Sequence, residues 1–169
     1  PIKENHTFAG WYNGDKKFDF TTVPTGDVTL TAKWDINKYT VKFVSDHGSF
    51  ADQTIEYGGT IKTDKLTIPE VEGYTFDGWY AEDNTKFDFT QPIKSNTTVY
   101  AKWTANDYEV SFITEHGKAP TSQNVKYNGT ADDPGTLTEE GYTFDGWYTD
   151  DTYSTEFDFT QPIKRNTTV

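Results

Sequence analysis

Apolar and polar residues alternate over 39–43, with Tyr39, Val41 and Phe43 on one face and Thr40 and Lys42 on the other. Residues 108–112 do the same, setting Tyr108, Val110 and Phe112 against Glu109 and Ser111. Period-two alternation predicts half-buried strands. Asp46-His47-Gly48-Ser49 carries turn chemistry. Residues 53–57 alternate again, with Ile55 and Tyr57 inward, which closes a hairpin. Tyr57-Gly58-Gly59 and Tyr127-Asn128-Gly129 end that strand, because Gly and Asn tolerate positive φ. Residues 60–72 hold one helical turn at most, before a loop marked by Pro69 or, in the next copy, Pro134. A third strand is predicted over 74–80, with Tyr74 and Phe76 inward, and a fourth over 97–103. In the fourth, Val99, Ala101 and Trp103 face in and Lys102 faces out, as do Leu30, Ala32, Trp34 and Lys33 in an earlier copy.

The pattern repeats. Gly73-Tyr74-Thr75-Phe76-Asp77-Gly78-Trp79-Tyr80 recurs as Gly141-Tyr142-Thr143-Phe144-Asp145-Gly146-Trp147-Tyr148. A degenerate copy over 5–12 keeps Thr7, Phe8, Gly10, Trp11 and Tyr12. Phe87-Asp88-Phe89-Thr90-Gln91-Pro92-Ile93-Lys94 recurs over 157–164 and in part over 18–21. The period is about 69 residues, which divides the chain into the back half of a repeat (1–34), a complete repeat (35–103) and a near-complete one (104–169) that stops short of its last strand end. The cut points and the missing signal peptide lead us to expect a piece of a longer chain. From the Gly-Trp tryptophan to the first Phe of Phe-Asp-Phe is 7, 8 and 10 residues in the three copies, which predicts an exposed loop tolerant of insertion.

Composition narrows the class. Aromatic residues make up 17% of the chain and all apolar residues only 33%, so about half the apolar content is rings. That excludes a disordered chain and predicts a core built of large rings. The predicted core aromatics are Phe8, Trp11, Trp34, Tyr39, Phe43, Phe76, Phe87, Phe89, Trp103, Phe112, Phe144, Phe157 and Phe159. A net charge of −12 argues against nucleic acid as a partner. No apolar run reaches the roughly 18 residues of a membrane span. Cysteine is absent, which removes disulfides, thiolate metal sites and cysteine nucleophiles.

Little in the sequence suggests reaction chemistry. His47 and His116 hold equivalent positions, each before a Gly, and read as turn residues without companion metal ligands. His6 stands where a core-type Tyr stands elsewhere. Asp132-Asp133, Glu139-Glu140 and Asp150-Asp151 lack the alternating oxygen spacing of a calcium loop. Residues 35–103 carry 11 acidic residues against 7 lysines, and 104–169 carry 12 against 4 basic residues, which reads as a solvated acidic surface. Lys42 and Lys102 are candidate isopeptide donors by residue type, but their strand positions face outward. Trp79 and Trp147 are the ambiguous pair. Strict alternation places them outward, where a ring can stack on a glycan, whereas a bulge at Gly78 or Gly146 turns them inward to the core. No metal, cofactor or catalytic residue is expected.

Gly-Tyr-Thr-Phe-Asp-Gly-Trp-Tyr, then Phe-Asp-Phe, then Asn-x-Thr-Val-Tyr-Ala-Lys-Trp resembles the Listeria–Bacteroides repeat, the B-repeat of internalin-type surface proteins. The resemblance covers the whole chain. It implies a β-rich α+β fold of tandem small β-grasp (ubiquitin-like) repeats, each a mixed four-stranded sheet with little helix. It also implies a non-catalytic stalk or spacer in a secreted or wall-anchored bacterial surface protein, extracellular and adhesin-like, whose partners are neighbouring repeats. The alternative is a module that binds a glycan or host protein through outward aromatics or the acidic face. The joins agree with a spacer. Four residues separate Trp34 from Tyr39 and Trp103 from Tyr108, a reach of at most ~17 Å. Neither link has the Gly/Ser run of a flexible coil. The first copy departs from the pattern at Asn5-His6, where Asn can take the left-handed conformation of the Gly it replaces.

Overall fold

The computed structural model describes all 169 residues, Pro1–Val169. The chain is almost entirely β-structure, with three sheets and one 3₁₀ turn at Thr63–Lys65. Strands β1 (His6–Asn13), β2 (Lys16–Lys17) and β3 (Thr31–Ile36) form the first sheet, in the order β2-β1-β3. Strands β4 (Lys38–Val44), β5 (Gln53–Glu56), β6 (Tyr74–Tyr80) and β7 (Thr97–Ala105) form a four-stranded sheet in the order β5-β4-β7-β6. Strands β8 (Asp107–Ser111), β9 (Gln123–Lys126) and β10 (Thr167–Thr168) form the third, in the order β10-β8-β9. The four-stranded sheet is mixed: β4 runs antiparallel to β5 and parallel to β7.

By contact the chain divides into two compact units, residues 1–68 with 78–102, and residues 69–77 with 103–169. In the first, Val41, Phe43, Ile55, Ile61, Trp79, Ile93 and Val99 are buried. In the second, Val110, Phe112, Val125, Ala131, Trp147, Ile163 and Val169 form the core cluster. The two sets correspond position for position along the repeat. The most deeply buried side chains are aliphatic: Val41, Val99 and Val110 are fully covered. Composition predicted a core of rings, but Phe43, Trp79, Phe112 and Trp147 are the only aromatic residues in it. Small domains have too little interior to enclose every ring completely. Phe8, Trp11, Trp34, Tyr39, Phe76, Phe87, Phe89, Trp103, Phe144, Phe157 and Phe159 are half-buried.

The parallel pairing at the centre is fixed by an asparagine before each closing strand. The Thr40 N–H donates to Asn96 Oδ1 at 2.9 Å, and the Glu109 N–H to Asn166 Oδ1 at 3.0 Å. The long connection is tied down on the other side. The Gly58 N–H donates to the Ile93 carbonyl and the Ile93 N–H to the Gly59 carbonyl, both at 2.8 Å. Asn128, Gly129 and Ile163 repeat this pair at 2.9 and 2.7 Å. Gly58 and Asn128 both have positive φ there, +81° and +64°. Buried Gln53 exchanges two 2.9 Å bonds with the Lys62 backbone, so its amide is satisfied.

A bulge decides where the repeated tryptophan goes. In the β1–β3 pairing, Phe8 faces Trp34 while Gly10 faces Lys33, so one extra residue sits between them. The extra residue puts Phe8 and Trp11, three apart, on one face. Their rings meet edge-on at 5.7 Å, and Phe8 meets Trp34 at 5.3 Å. Gly10, Gly78 and Gly146 share φ near +140° (136°, 133° and 148°), a region that side chains avoid. Trp79 then lies edge-on to Phe43 at 5.2 Å and Phe50 at 4.8 Å, and Trp147 to Phe112 at 5.0 Å and Phe144 at 5.3 Å. The Trp carbonyl takes a bond from the first Phe of Phe-Asp-Phe in every copy: Phe18 to Trp11 and Phe87 to Trp79 at 2.8 Å, Phe157 to Trp147 at 2.7 Å. Loops of three lengths therefore close on the same bond.

Trp79→Ala should cost about 3–5 kcal/mol. Urea unfolding of the full chain checks this, and a melt indistinguishable from wild type would remove the Trp from the core.

Candidate functional site

At each join a single residue separates one strand from the next. β3 ends at Ile36 and β4 begins at Lys38; β7 ends at Ala105 and β8 begins at Asp107. Asn37 and Asn106 stand between them, each three residues past the closing tryptophan. Each asparagine is held on both sides. The Asn37 N–H donates to the Asn5 carbonyl at 3.0 Å, and its own carbonyl accepts from the Tyr57 N–H at 2.8 Å. Its Oδ1 accepts from the Thr7 hydroxyl at 2.9 Å. Asn106 repeats the set: its N–H donates to the Gly73 carbonyl and its carbonyl accepts from the Tyr127 N–H, both at 2.8 Å, and its Oδ1 accepts from the Thr75 hydroxyl at 2.6 Å. Three hydrogen bonds thus reach from the linking residue into the hairpin before it and the turn after it.

Tyrosine rings pack over each clasp. Tyr39 and Tyr57 lie 6.4 Å apart at the first. At the second, Tyr127 contacts Tyr74 at 5.6 Å and Tyr108 at 6.3 Å. Desolvation, followed by Glu72, pushes the Tyr127 hydroxyl above its ordinary pKa. His6 takes the place of Tyr74 at the first clasp and bonds through Nδ1 to the Glu4 carbonyl at 2.8 Å. Backbone conformation is shared: Asn5, Gly73 and Gly141 have φ of +57°, +76° and +83°. At Gly73 an added Cβ would fall 2.1 Å from Tyr127 Cγ; at Gly141 it would meet nothing within 4 Å.

Sequence reasoning did not single out Asn37 and Asn106. The signal was present in the chain itself: the same residue type at the same offset in two otherwise different links, Asp35-Ile36-Asn37-Lys38 and Thr104-Ala105-Asn106-Asp107.

Trp79 is 5% exposed and Trp147 6%, and the Trp147 indole N–H donates to the Gly135 carbonyl at 3.4 Å. His116 stacks on Tyr142 with ring centroids 3.7 Å apart. Lys42 is exposed, and Lys102 Nζ sits 4.3 Å above the Tyr80 ring. No three His, Asp or Glu side chains converge as metal ligands.

The aspartates with shifted acidity are tied up in their own turns. Asp88 accepts from the Thr90 hydroxyl at 2.7 Å and its N–H at 2.9 Å, and Asp158 from Thr160 at 2.6 and 2.8 Å. These bonds favour the charged form, with the hydroxyl the largest cause, and hold both carboxyls below the ordinary 3.8. Asp19 and Asp83 are lowered likewise, by Thr21 and Thr85. Asp150 is lowered furthest, first by the Thr152 hydroxyl and then by Ser154 and Thr155, which organises the longest of the three insertion loops.

The sequence profile of the Listeria–Bacteroides repeat domain matches residues 1–33, 39–102 and 108–169. Two similar proteins of Evansella cellulosilytica bear membrane-protein names. One is 37% identical over the whole of this chain and 26% of its own length; the other, named as Gly-rich, is 35% identical over 94% of this chain and 19% of its own. Internalin H of Listeria monocytogenes is 40% identical over 63% of this chain and 21% of its own length. The chain thus spans about a quarter or less of each of these relatives. No solved structure matches it. No helix is long and apolar enough to cross a membrane.

Gly73→Ala should destabilise the unit containing Tyr127 by about 1–3 kcal/mol more than Gly141→Ala does, since both have positive φ and only the first meets a ring. Calorimetry of the two variants checks this. Asn106→Ala should cost about 1 kcal/mol and speed amide exchange at Thr75 and Tyr127. Acid should also weaken the fold. The lowered aspartates contribute stability above pH 3.8, and it is lost as pH falls through their folded values. Melting temperatures should drop below pH 4, and the drop should shrink in the Asp88→Ala, Asp158→Ala double variant.

Proposed function

Since this chain belongs to the Listeria–Bacteroides repeat family, we propose that it is a non-catalytic spacer, a run of tandem repeats that sets the separation of other domains in a bacterial surface protein. The observation carrying the reading is the clasp. One asparagine per link is bonded both to the hairpin before it and to the turn after it, which supports a short, ordered join. Repeats coupled to their neighbours through short fixed links transmit length and stiffness rather than chemistry.

In this reading residues 35–103 and 104–169 are successive repeats and 1–34 is the back half of another. Each is a reduced β-grasp. The mixed order β5-β4-β7-β6, with its parallel pair at the centre, supports that description. The half-buried aromatics Phe8, Trp34, Phe76 and Trp103 are the structural filler of the hairpins. The aspartates Asp88 and Asp158 bond within their own turns, in keeping with a structural role. The proposed location is outside the cell, at the wall or membrane surface, in keeping with the internalin relative. Binding of a glycan through Trp79 and Trp147 is less well supported, because those rings are 5% and 6% exposed.

Inserting Gly-Gly-Ser-Gly after Asn106 should leave the secondary structure unchanged and broaden the distance distribution between spin labels at exposed positions 94 and 118. Equal widths with and without the insertion would mean that the native link is already loose, and the spacer reading would lose its basis.

A further inference from the structure

Asparagine followed by glycine occurs at Asn13-Gly14 and again at Asn128-Gly129. In this dipeptide the backbone attacks its own side chain readily, because the glycine brings no Cβ to hinder its nitrogen and leaves the chain free to bend. Both asparagines are exposed, so water reaches each side chain. Their backbones are held very differently. Asn128-Gly129 lies past β9 and is clamped. The Asn128 N–H donates to the Ile163 carbonyl at 2.9 Å, and the Ile163 N–H donates to the Gly129 carbonyl at 2.7 Å. The Gly129 N–H, the nucleophile in question, is itself committed to the Lys126 carbonyl at 2.7 Å. A Cβ at Gly129 would fall 3.0 Å from that carbonyl oxygen and 3.1 Å from Val125 Cγ1, so the site is crowded as well.

Asn13-Gly14 is open on the same counts. β1 ends at Asn13 and β2 begins at Lys16, so Gly14 and Asp15 make up the whole turn. Gly14 has φ +61°, and a Cβ there would meet nothing within 4 Å. Its N–H makes no hydrogen bond. β2 is two exposed residues, paired only through Tyr12 with Lys17 and Asn13 with Lys16. Little structure has to open before the Gly14 nitrogen can swing toward the Asn13 side chain. The corresponding loops of the later copies, residues 81–86 and 149–156, contain no Asn-Gly. The chemistry is therefore confined to the shortest of the three loops.

We propose that the β1–β2 turn is a deamidation site, at which Asn13 converts spontaneously to aspartate and isoaspartate in the folded chain while the fold protects Asn128. The Gly14 nitrogen attacks Asn13 Cγ. A C–N bond forms, the Cγ–Nδ2 bond breaks, and ammonia leaves with the proton from Gly14. Water then opens the five-membered succinimide at one of its two carbonyls. Opening at Cγ restores the main chain and leaves aspartate. Opening at the main-chain carbonyl routes the backbone through Cγ and leaves isoaspartate. Either product carries a new carboxylate opposite Lys16. The isoaspartate also adds one carbon to the main chain at the mouth of a two-residue turn, which disturbs the register of Tyr12 with Lys17. This inference does not depend on the spacer reading, since it concerns one turn within a single hairpin.

The test is to age the full chain in mildly alkaline buffer, with and without urea, and to map its peptides by mass spectrometry with fragmentation that separates aspartate from isoaspartate. In the native chain Asn13 should convert at least about tenfold faster than Asn128, because only Asn128 must wait for a local opening. In urea the two rates should come within about threefold of each other, since the dipeptide alone then sets them. Amide NMR of the aged native chain should show new signals for Tyr12 and Lys17 while those of β4 and β5 stay in place. Native conversion of Asn13 no faster than that of Asn128 would overturn the proposal, as would conversion of Asn13 in urea alone. A rate ratio that is the same in both conditions would also overturn it, by assigning the difference to flanking residues rather than to the fold.

Discussion

The two longer repeats each depend on one buried tryptophan, Trp79 against Phe43 and Trp147 against Phe112, and the positive-φ glycine before it makes that burial geometrically available. A regular strand would send the ring of Trp79 to the same side as Thr75 and Asp77. Gly78 is held at φ +133°, like Gly10 at the β1 bulge, and the ring after it reaches Phe43. A side chain at that glycine would resist the conformation, so the bulge and the buried ring are one constraint. The Phe-Asp-Phe block depends on it in turn, because Phe87 closes its loop by bonding the Trp79 carbonyl. Asp88 then fixes the following turn through Thr90, and Ile93 returns to the core through its bonds with Gly58 and Gly59.

The same hairpin serves two purposes along its length. Its near end presents Trp79 to one core, while Gly73 and Thr75 at its far end bond to Asn106. The compact units accordingly divide inside β6 and β7, at residues 77–78 and 102–103, rather than at the link. The salt bridges Lys33–Asp15, Lys38–Glu56 and Lys126–Asp107 join well-exposed groups, so they contribute little to holding the fold together.

Much of this was legible in the residues. Alternation over 39–43, 53–57 and 74–80 located β4, β5 and β6 closely, because half-buried strands impose period two whatever surrounds them. Positive φ at Asn5, Gly58 and Asn128 followed from residue type, since few side chains tolerate that region. The loop between tryptophan and Phe-Asp-Phe varied in length as exposed loops do, and Asp150 organises its longest form. The depth of each ring was not legible. Half-burial of Phe76, Phe87 and Phe89 reflects how little interior a small sheet has, a property of the whole domain rather than of any window of sequence.

By itself, then, the sequence determined the repeat, its strands and turns, its lack of cysteine chemistry and its acidic surface, because these depend on local pattern and residue type. The tertiary structure decided which of β4's neighbours runs parallel, and that Asn37 and Asn106 each bond to the hairpin before them and the turn after them. Each of those joins residues about 20 to 60 positions apart. Hydrogen bonds and packing over such separations exist only once the sheet has closed.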